Sequence, residues 1–172
     1  MIRSYIKSAA FTLLAAVALS GCAELPMIKS IPVQQLSLGS ISLNPESARR
    51  MINSYRQSRG LRPLTLNSQL MQAARRHSRD LAKGRRISHK GSDGSNPWTR
   101  IKATGYRPKL SAENVGAGQR SFSEVLQGWK KSSGHNKNLL LADAVHMGIA
   151  LDKNPNSRFQ TFWTLVLGKP SQ

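Results

Sequence analysis

Four histidines, eight carboxylate side chains and one cysteine are the groups in this 172-residue chain able to bind metal, move protons or accept a covalent modification. None forms a tight local pattern. No His-Glu-x-x-His sets two imidazoles on one helical face, and no serine or cysteine has a recognisable base beside it. Read singly, His77 lies on the apolar stripe of a helix and suits a hydrogen-bonded core residue. His146 alternates with Gly148 and Ala150 on a strand face and suits packing. His89 suits a solvated loop, and His135 the cap of a short helix. Glu113, before Asn114 and near Gly116 and Gly118, suits tying loop amides together.

The cysteine is more informative. Cys22 closes Leu19-Ser20-Gly21-Cys22, directly after an apolar run from Ala9 to Leu19 that follows Arg3 and Lys7. A basic start, a short apolar segment and small residues before the cut describe a secretory signal. The run is shorter than the roughly 20 apolar residues a membrane-spanning helix needs. Leu-Ser-Gly-Cys resembles the lipobox of bacterial lipoproteins, which implies acylation of the sulfur (palmitate among the chains) and Cys22 as the first mature residue. Residues 1–21 are therefore expected to be a signal peptide, and the protein to be exported and lipid-anchored. Ala23 is not the aspartate associated with inner-membrane retention, which favours the outer membrane, facing the periplasm, in a cell with two membranes.

Composition narrows the partners. Cleavage before Cys22 removes Arg3 and Lys7 but no acid, so the net charge falls from +18 to +16. A surplus that large favours anionic partners. In an envelope these are acidic polymers, lipopolysaccharide phosphates or lipid headgroups, while cytoplasmic nucleic acid is out of reach of an exported chain. With its one cysteine acylated, the chain has no thiol for a disulfide or a cysteine-bound metal. Its core must hold the fold together.

Several elements are needed to position any site. Residues 22–43 show no helical period and read as a tether, with an extra strand on the domain as the alternative; the 21 residues after the cysteine stretch to roughly 70 Å. The domain is expected over 44–170. Asn44, Pro45 and Glu46 carry helix-start chemistry, followed by Ala48, Met51, Ile52 and Tyr55 at helical spacing and a stop at Gly60. A second helix runs from Asn67 to Gly84, with Leu70, Ala73, Ala74, His77 and Leu81 on one stripe and Arg75, Arg76, Arg79 and Lys83 opposite. A short third helix follows Asn96-Pro97, with Trp98 either packed or at the rim of a cleft. A fourth starts at Ser121 with Glu124 three residues on, and a turn of helix spans His135–Leu140. The period then changes to two over 145–151 and again over 159–167, with Asp152-Lys153-Asn154-Pro155-Asn156 between, which reads as a β-hairpin. Helices first and a hairpin last imply an α+β fold.

Five patterns stand in order: Ala74-Arg75-Arg76-His77-Ser78-Arg79-Asp80-Leu81-Ala82; Ser88-His89-Lys90-Gly91-Ser92-Asp93-Gly94; Arg100-Ile101 through Gly105-Tyr106 to Glu113-Asn114; Trp129 through Ser132 to Gly134-His135 and Asn138-Leu139-Leu140; and the hairpin with Gly148, Phe162 and Trp163. This succession resembles the bacterial branch of the CAP superfamily (cysteine-rich secretory, antigen 5 and pathogenesis-related 1 proteins, or SCP domains). The resemblance covers about Asn44 to Gly168 and implies a three-layer α-β-α sandwich with a central antiparallel sheet. It further implies a cleft in which His89 and His135 stand for the family's two histidines and Glu113 for its first acid. The place of the second acid is held by Ser132.

Two imidazoles and one carboxylate brought together in that way could hold a divalent ion such as zinc with an open position. Without metal, Glu113 could keep a histidine protonated for acid–base chemistry. His89, Glu113 and His135 are thus the candidate metal ligands, and with Ser132 the candidate catalytic groups. A binding module for anionic envelope polymers or headgroups is the leading expectation. A metal-assisted hydrolase and a small lipid-ligand carrier are the alternatives.

Overall fold

The computed structural model describes residues 37–171. The expected signal, the acylation site at Cys22 and the tether up to residue 36 lie outside them.

Four of the five α-helices start where the chain supplies a side-chain acceptor. Asn44 Oδ1 accepts from the Ser47 amide at 2.9 Å and opens α1 (Pro45–Gln57). Asn67 does the same for the Leu70 amide at the head of α2 (Ser68–Gly84), which ends as Arg85 turns into the left-handed region. Asn96 and Thr99 cap each other reciprocally to begin α3 (Pro97–Lys102). Ser121 Oγ accepts from the Glu124 amide at α4 (Phe122–Lys131), while the Glu124 carboxylate takes the Arg120 amide instead of completing the box. The last helix, α5 (Ser133–Leu139), follows at once and lacks such a cap.

The sheet has four strands in the order β1 (Thr65–Leu66), β3 (His146–Lys153), β4 (Thr161–Pro170) and β2 (Pro108–Ala117). β3, β4 and β2 run antiparallel; the two residues of β1 add a short parallel pair to β3. The expected hairpin is β3–β4. The strand β2 was not legible in the sequence, where its Glu-Asn core read as a loop. Its residues have little intrinsic strand preference, and pairing with β4 along nearly its whole length makes it a strand.

Alternation along β3 and β4 divides the core. Met147, Ile149, Trp163, Leu165 and Leu167 face α1, α4 and α5, where Ile52, Val125, Leu126, Trp129 and Leu139 complete one cluster. Ala150, Val166 and Phe162 face the other way, against Leu70, Ala73, Ala74 and Leu81 of α2 and Ile101 of α3. These are the three layers expected. α2 lies so close to the sheet that a Cβ on Gly148 would stand 2.2 Å from the Leu70 carbonyl carbon, so only glycine fits there.

Two local expectations need correction. The tether does not extend to Leu43: Leu38–Ser40 form a 3-10 turn, Ile41 is buried in the first cluster, and Lys153 Nζ donates to the carbonyls of Leu38 and Ile41 at 3.1 and 2.9 Å. Three apolar residues close together (Leu38, Ile41 and Leu43) are enough to pull this strap onto the domain, as a turn and not as the alternative extra strand. On α1, Met51 is exposed, and the polar Asn53 and Arg56 are buried in its stead. Asn53 brackets the Leu64 peptide, and the Arg56 guanidinium caps the end of α5 through the carbonyls of Leu139 and Leu141. Hydrogen bonds to backbone groups keep these side chains inside where hydropathy alone places them outside, although Arg56 Nη2 is left without a partner.

Candidate functional site

β2 is an edge strand, and its alternation distributes Glu113 and Asn114 to opposite faces. Glu113 is paired with Val166 and shares its face, toward α2 and α3; Asn114 is paired with Leu165 and faces α5. The Glu113 carboxylate is only 2% exposed. Arg100 Nη2 on α3 donates to its Oε1 and Oε2 at 3.0 and 2.8 Å, and His89 Nδ1 donates to Oε1 at 2.9 Å. His77 on α2 stands 3.6 Å from the same oxygen, with its Nε2 donating to the Ser88 carbonyl at 2.9 Å. Arg100 also donates to the carbonyls of His89 and Ser95. The loop that carries His89 is thereby held at three points, and the imidazole is fixed by the carboxylate behind it.

On the other face, Asn114 Nδ2 donates to the His135 carbonyl at 3.0 Å, and Asn138 Nδ2 donates to Asn114 Oδ1 at 2.9 Å. These bonds bring the start of α5 to the free edge of β2. The two layers meet there around a cleft of about 500 Å³ lined by Ile87, Ser88, His89, Gly116, Gln119, Trp129, Ser132 and His135. Trp129 Nε1 donates to the Val115 carbonyl and so forms wall and core at once. A Cβ on Gly116 would lie 2.7 Å from Val125 and 3.0 Å from Gln119 Oε1, so glycine keeps the floor of the cleft open.

The two imidazoles are driven apart in proton affinity. The hydrogen bond that His89 donates to Glu113 raises its pKa above the ordinary histidine value, against a smaller opposing effect of burial. Burial lowers that of His135, and the neighbouring His89 lowers it further. Buried His77 is lowered as well, mainly by desolvation. Opposite displacement of two groups in one cleft is the arrangement from which an acid and a base are drawn. The raised His89 favours its charged form and the lowered His135 its neutral form.

Residues 49–167 match the model of CAP, the cysteine-rich secretory protein family. The chain belongs to that family. It is 31% identical over 110 residues to the uncharacterized protein YkwD of Bacillus subtilis (strain 168), a match covering 64% of this chain and 43% of that relative. The chain therefore spans less than half the length of this curated relative. Among solved structures, an outer surface protein from Borrelia burgdorferi superposes with a TM-score of 0.67 at 21% identity, over 73% of this chain and 92% of that one. An SCP-domain extracellular protein from Bacillus anthracis str. Ames gives 0.65 at 24% identity, over 73% and 40%. At such identities the likeness speaks for the fold.

In this CAP domain the expected residues are brought together in a different way from a metal centre. His89, His135 and Ser132 line one cleft, but Glu113 stands behind His89 instead of in the cleft wall. Both oxygens of the carboxylate already face a guanidinium, whose charge opposes a second cation. Among the described residues no three His, Cys, Asp or Glu side chains are grouped to hold a metal ion. The donor set His89, Glu113 and His135 does not fit zinc. Ser132 makes no capping hydrogen bond and leaves its side chain at the cleft.

Sequence reasoning missed Arg100 as a partner of Glu113. In a chain with 26 Lys and Arg, one buried arginine carries no mark of its own. A weak signal existed in its place on a six-residue helix beside the apolar Ile101, where a solvated cation has no reason to be. His77 is the buried, hydrogen-bonded residue expected, yet it also borders the Glu113 cluster. Trp98 is exposed and does not line the cleft. His146 is half-buried, and its Nδ1 and Tyr106 Oη share a hydrogen bond of 2.9 Å; burial pushes the Tyr106 hydroxyl up to about 12.

Proposed function

We propose that this CAP domain is exported, held at the envelope by an acylated Cys22, and binds anionic envelope polymer through its cationic surface. Unpaired charge carries the reading. Five of the seven acids of the described residues are ion-paired close to home: Glu46 with Arg49, Asp80 with Arg86, Glu113 with Arg100, Asp143 with Lys169 and, at 3.9 Å, Asp152 with Arg79; Asp93 and Glu124 accept from the Ser95 and Arg120 amides. Among the described residues no carboxylate stands within ion-pair distance of Arg75, Arg76, Lys83, Arg85, Lys131 or Lys137, and all six are exposed. Like charge held on a small domain opposes its own compaction, and an anionic partner relieves that repulsion.

An extracellular setting agrees with the two structural relatives, an outer surface protein and an extracellular protein. No helix among the described residues is long and apolar enough to cross a membrane. Attachment thus rests on the lipobox, with the outer membrane favoured by Ala23. Binding of the full chain to purified acidic wall polymer, measured from low to moderate salt, tests the main reading. The expected result is a steep loss of affinity as the Debye length shrinks from about 30 to about 8 Å. Absent or salt-insensitive binding overturns it, and exclusive binding to anionic vesicles replaces polymer with headgroups. Labelled palmitate incorporation that Cys22→Ser abolishes tests the anchor.

A second reading follows from the two imidazoles: a metal-independent hydrolase in which His89 donates and His135 accepts a proton. It requires hydrolysis of an envelope component that either His89→Gln or His135→Gln abolishes. Turnover that survives both substitutions excludes it.

A further inference from the structure

The surplus charge is not spread evenly over the domain. α2 turns Ala73, Ala74, His77 and Leu81 inward, and at 3.6 residues per turn Arg75, Arg76, Arg79 and Lys83 fall within about 100° of arc on the opposite side. All four are exposed. Arg75, Arg79 and Lys83 are four residues apart, so their Cα atoms rise by about 6 Å per step and about 12 Å in all. Like charges at that spacing destabilise a helix, and solubility alone is better served by interleaved acids. The one acid on α2, Asp80, is engaged elsewhere, by the Ser92 amide and hydroxyl and by Arg86. Asp152 reaches the row at Arg79, whose side chain nevertheless stays 77% exposed.

The row also leads somewhere. At its start Arg75 borders a recess shared with Lys153 and the 39–43 strap. Past its end, exposed Arg85 and half-exposed Arg86 turn the chain into Ile87, Ser88 and His89, which line the cleft. We infer that the outer face of α2 is a track for a linear polyanion with phosphodiester repeats, which lies along Arg75, Arg79 and Lys83 and continues into the His89–His135 cleft. A three-carbon bridge between phosphates has a length comparable to one step of the row. A one-dimensional row ending at a cleft matches a chain-like ligand better than a flat bilayer. The inference rests on the polymer-binding reading and assigns it a surface.

The test compares two triple variants of the full chain with equal loss of charge. Arg75→Gln/Arg79→Gln/Lys83→Gln empties the track; Arg62→Gln/Lys102→Gln/Lys109→Gln removes three exposed cations elsewhere. The probe is poly(glycerol phosphate), with phosphatidylglycerol vesicles as the second arm. The track variant is expected to bind the polymer at least about tenfold more weakly at low salt. Its slope of log K against log salt is expected to fall by about 2, as three lost phosphate contacts require. The control triple is expected to change affinity by less than about threefold, because it leaves those contacts in place. Equal losses in both triples overturn the track while leaving polymer binding intact. A track variant impaired only toward vesicles also overturns it. Failure of the unsubstituted protein to bind the polymer removes the underlying function instead.

Discussion

Replacing Arg100 by methionine removes the guanidinium from both oxygens of a carboxylate that is 2% exposed, and leaves Glu113 with His89 as its hydrogen-bonded partner and His77 at 3.6 Å. Breaking a buried pair from one side typically costs about 3–5 kcal/mol, because the other charge stays desolvated. The bonds from Arg100 to the carbonyls of His89 and Ser95 are lost at the same time. A domain of this size is stable by about 5–15 kcal/mol, and near its midpoint each kcal/mol moves Tm by roughly 3–5 °C. Arg100→Met is therefore expected to lower Tm by about 10–20 °C, read by urea and thermal unfolding followed by circular dichroism. The double variant Arg100→Met/Glu113→Leu removes both charges and is expected to recover much of the loss, with a coupling energy of about 2 kcal/mol or more. A single variant costing under about 1 kcal/mol, or a double variant no better than the sum of its parts, refutes the view that Glu113 is a desolvated hub held by Arg100.

Further outcomes follow from the same contacts. In an NMR titration His89 should lose its proton above the ordinary histidine value and His135 below it, and His89→Gln should move His135 upward; coincident titration of the two rings contradicts the assigned acid and base. The raised His89 stabilises the fold below its unfolded pKa, and this contribution fades as pH rises through the folded one; lowered His77 acts oppositely, so His77→Gln should make the protein less sensitive to acid below about pH 6.5. Gly148→Ala forces a Cβ onto the Leu70 backbone and should cost about 3 kcal/mol or prevent folding, measured by denaturant midpoint; a loss near zero contradicts the close approach of α2. Ile41→Ala should destabilise by about 2–5 kcal/mol and open the strap to proteases, whereas an unchanged midpoint means that the strap is not part of the core. Zinc or chelator should leave Tm unchanged; a saturable zinc-dependent rise abolished by His89→Gln restores the metal centre.

Local chemistry was legible because it is written in neighbouring residues. Asn44, Asn67, Asn96 and Ser121 announced the starts of four helices, since a side-chain acceptor two or three residues ahead of a free amide needs no distant partner. The alternation through Met147, Ile149 and Leu151 announced β3 for the same reason. The succession of motifs around His77, His89, Glu113 and His135 was enough to place the chain in the CAP family. What tertiary structure alone decided was the role of Glu113. Its strand exists through pairing with β4, and the register of that pairing turns Glu113 toward α2 and α3 while Asn114 faces α5. Once desolvated on that face the carboxylate needed cationic and hydrogen-bonding partners, and these came from Arg100, 13 residues away, and from the His89 loop. Burial strengthens electrostatics that sequence order does not record, so the two imidazoles meet the same cleft in different surroundings, His89 held by the Glu113 carboxylate and His135 desolvated.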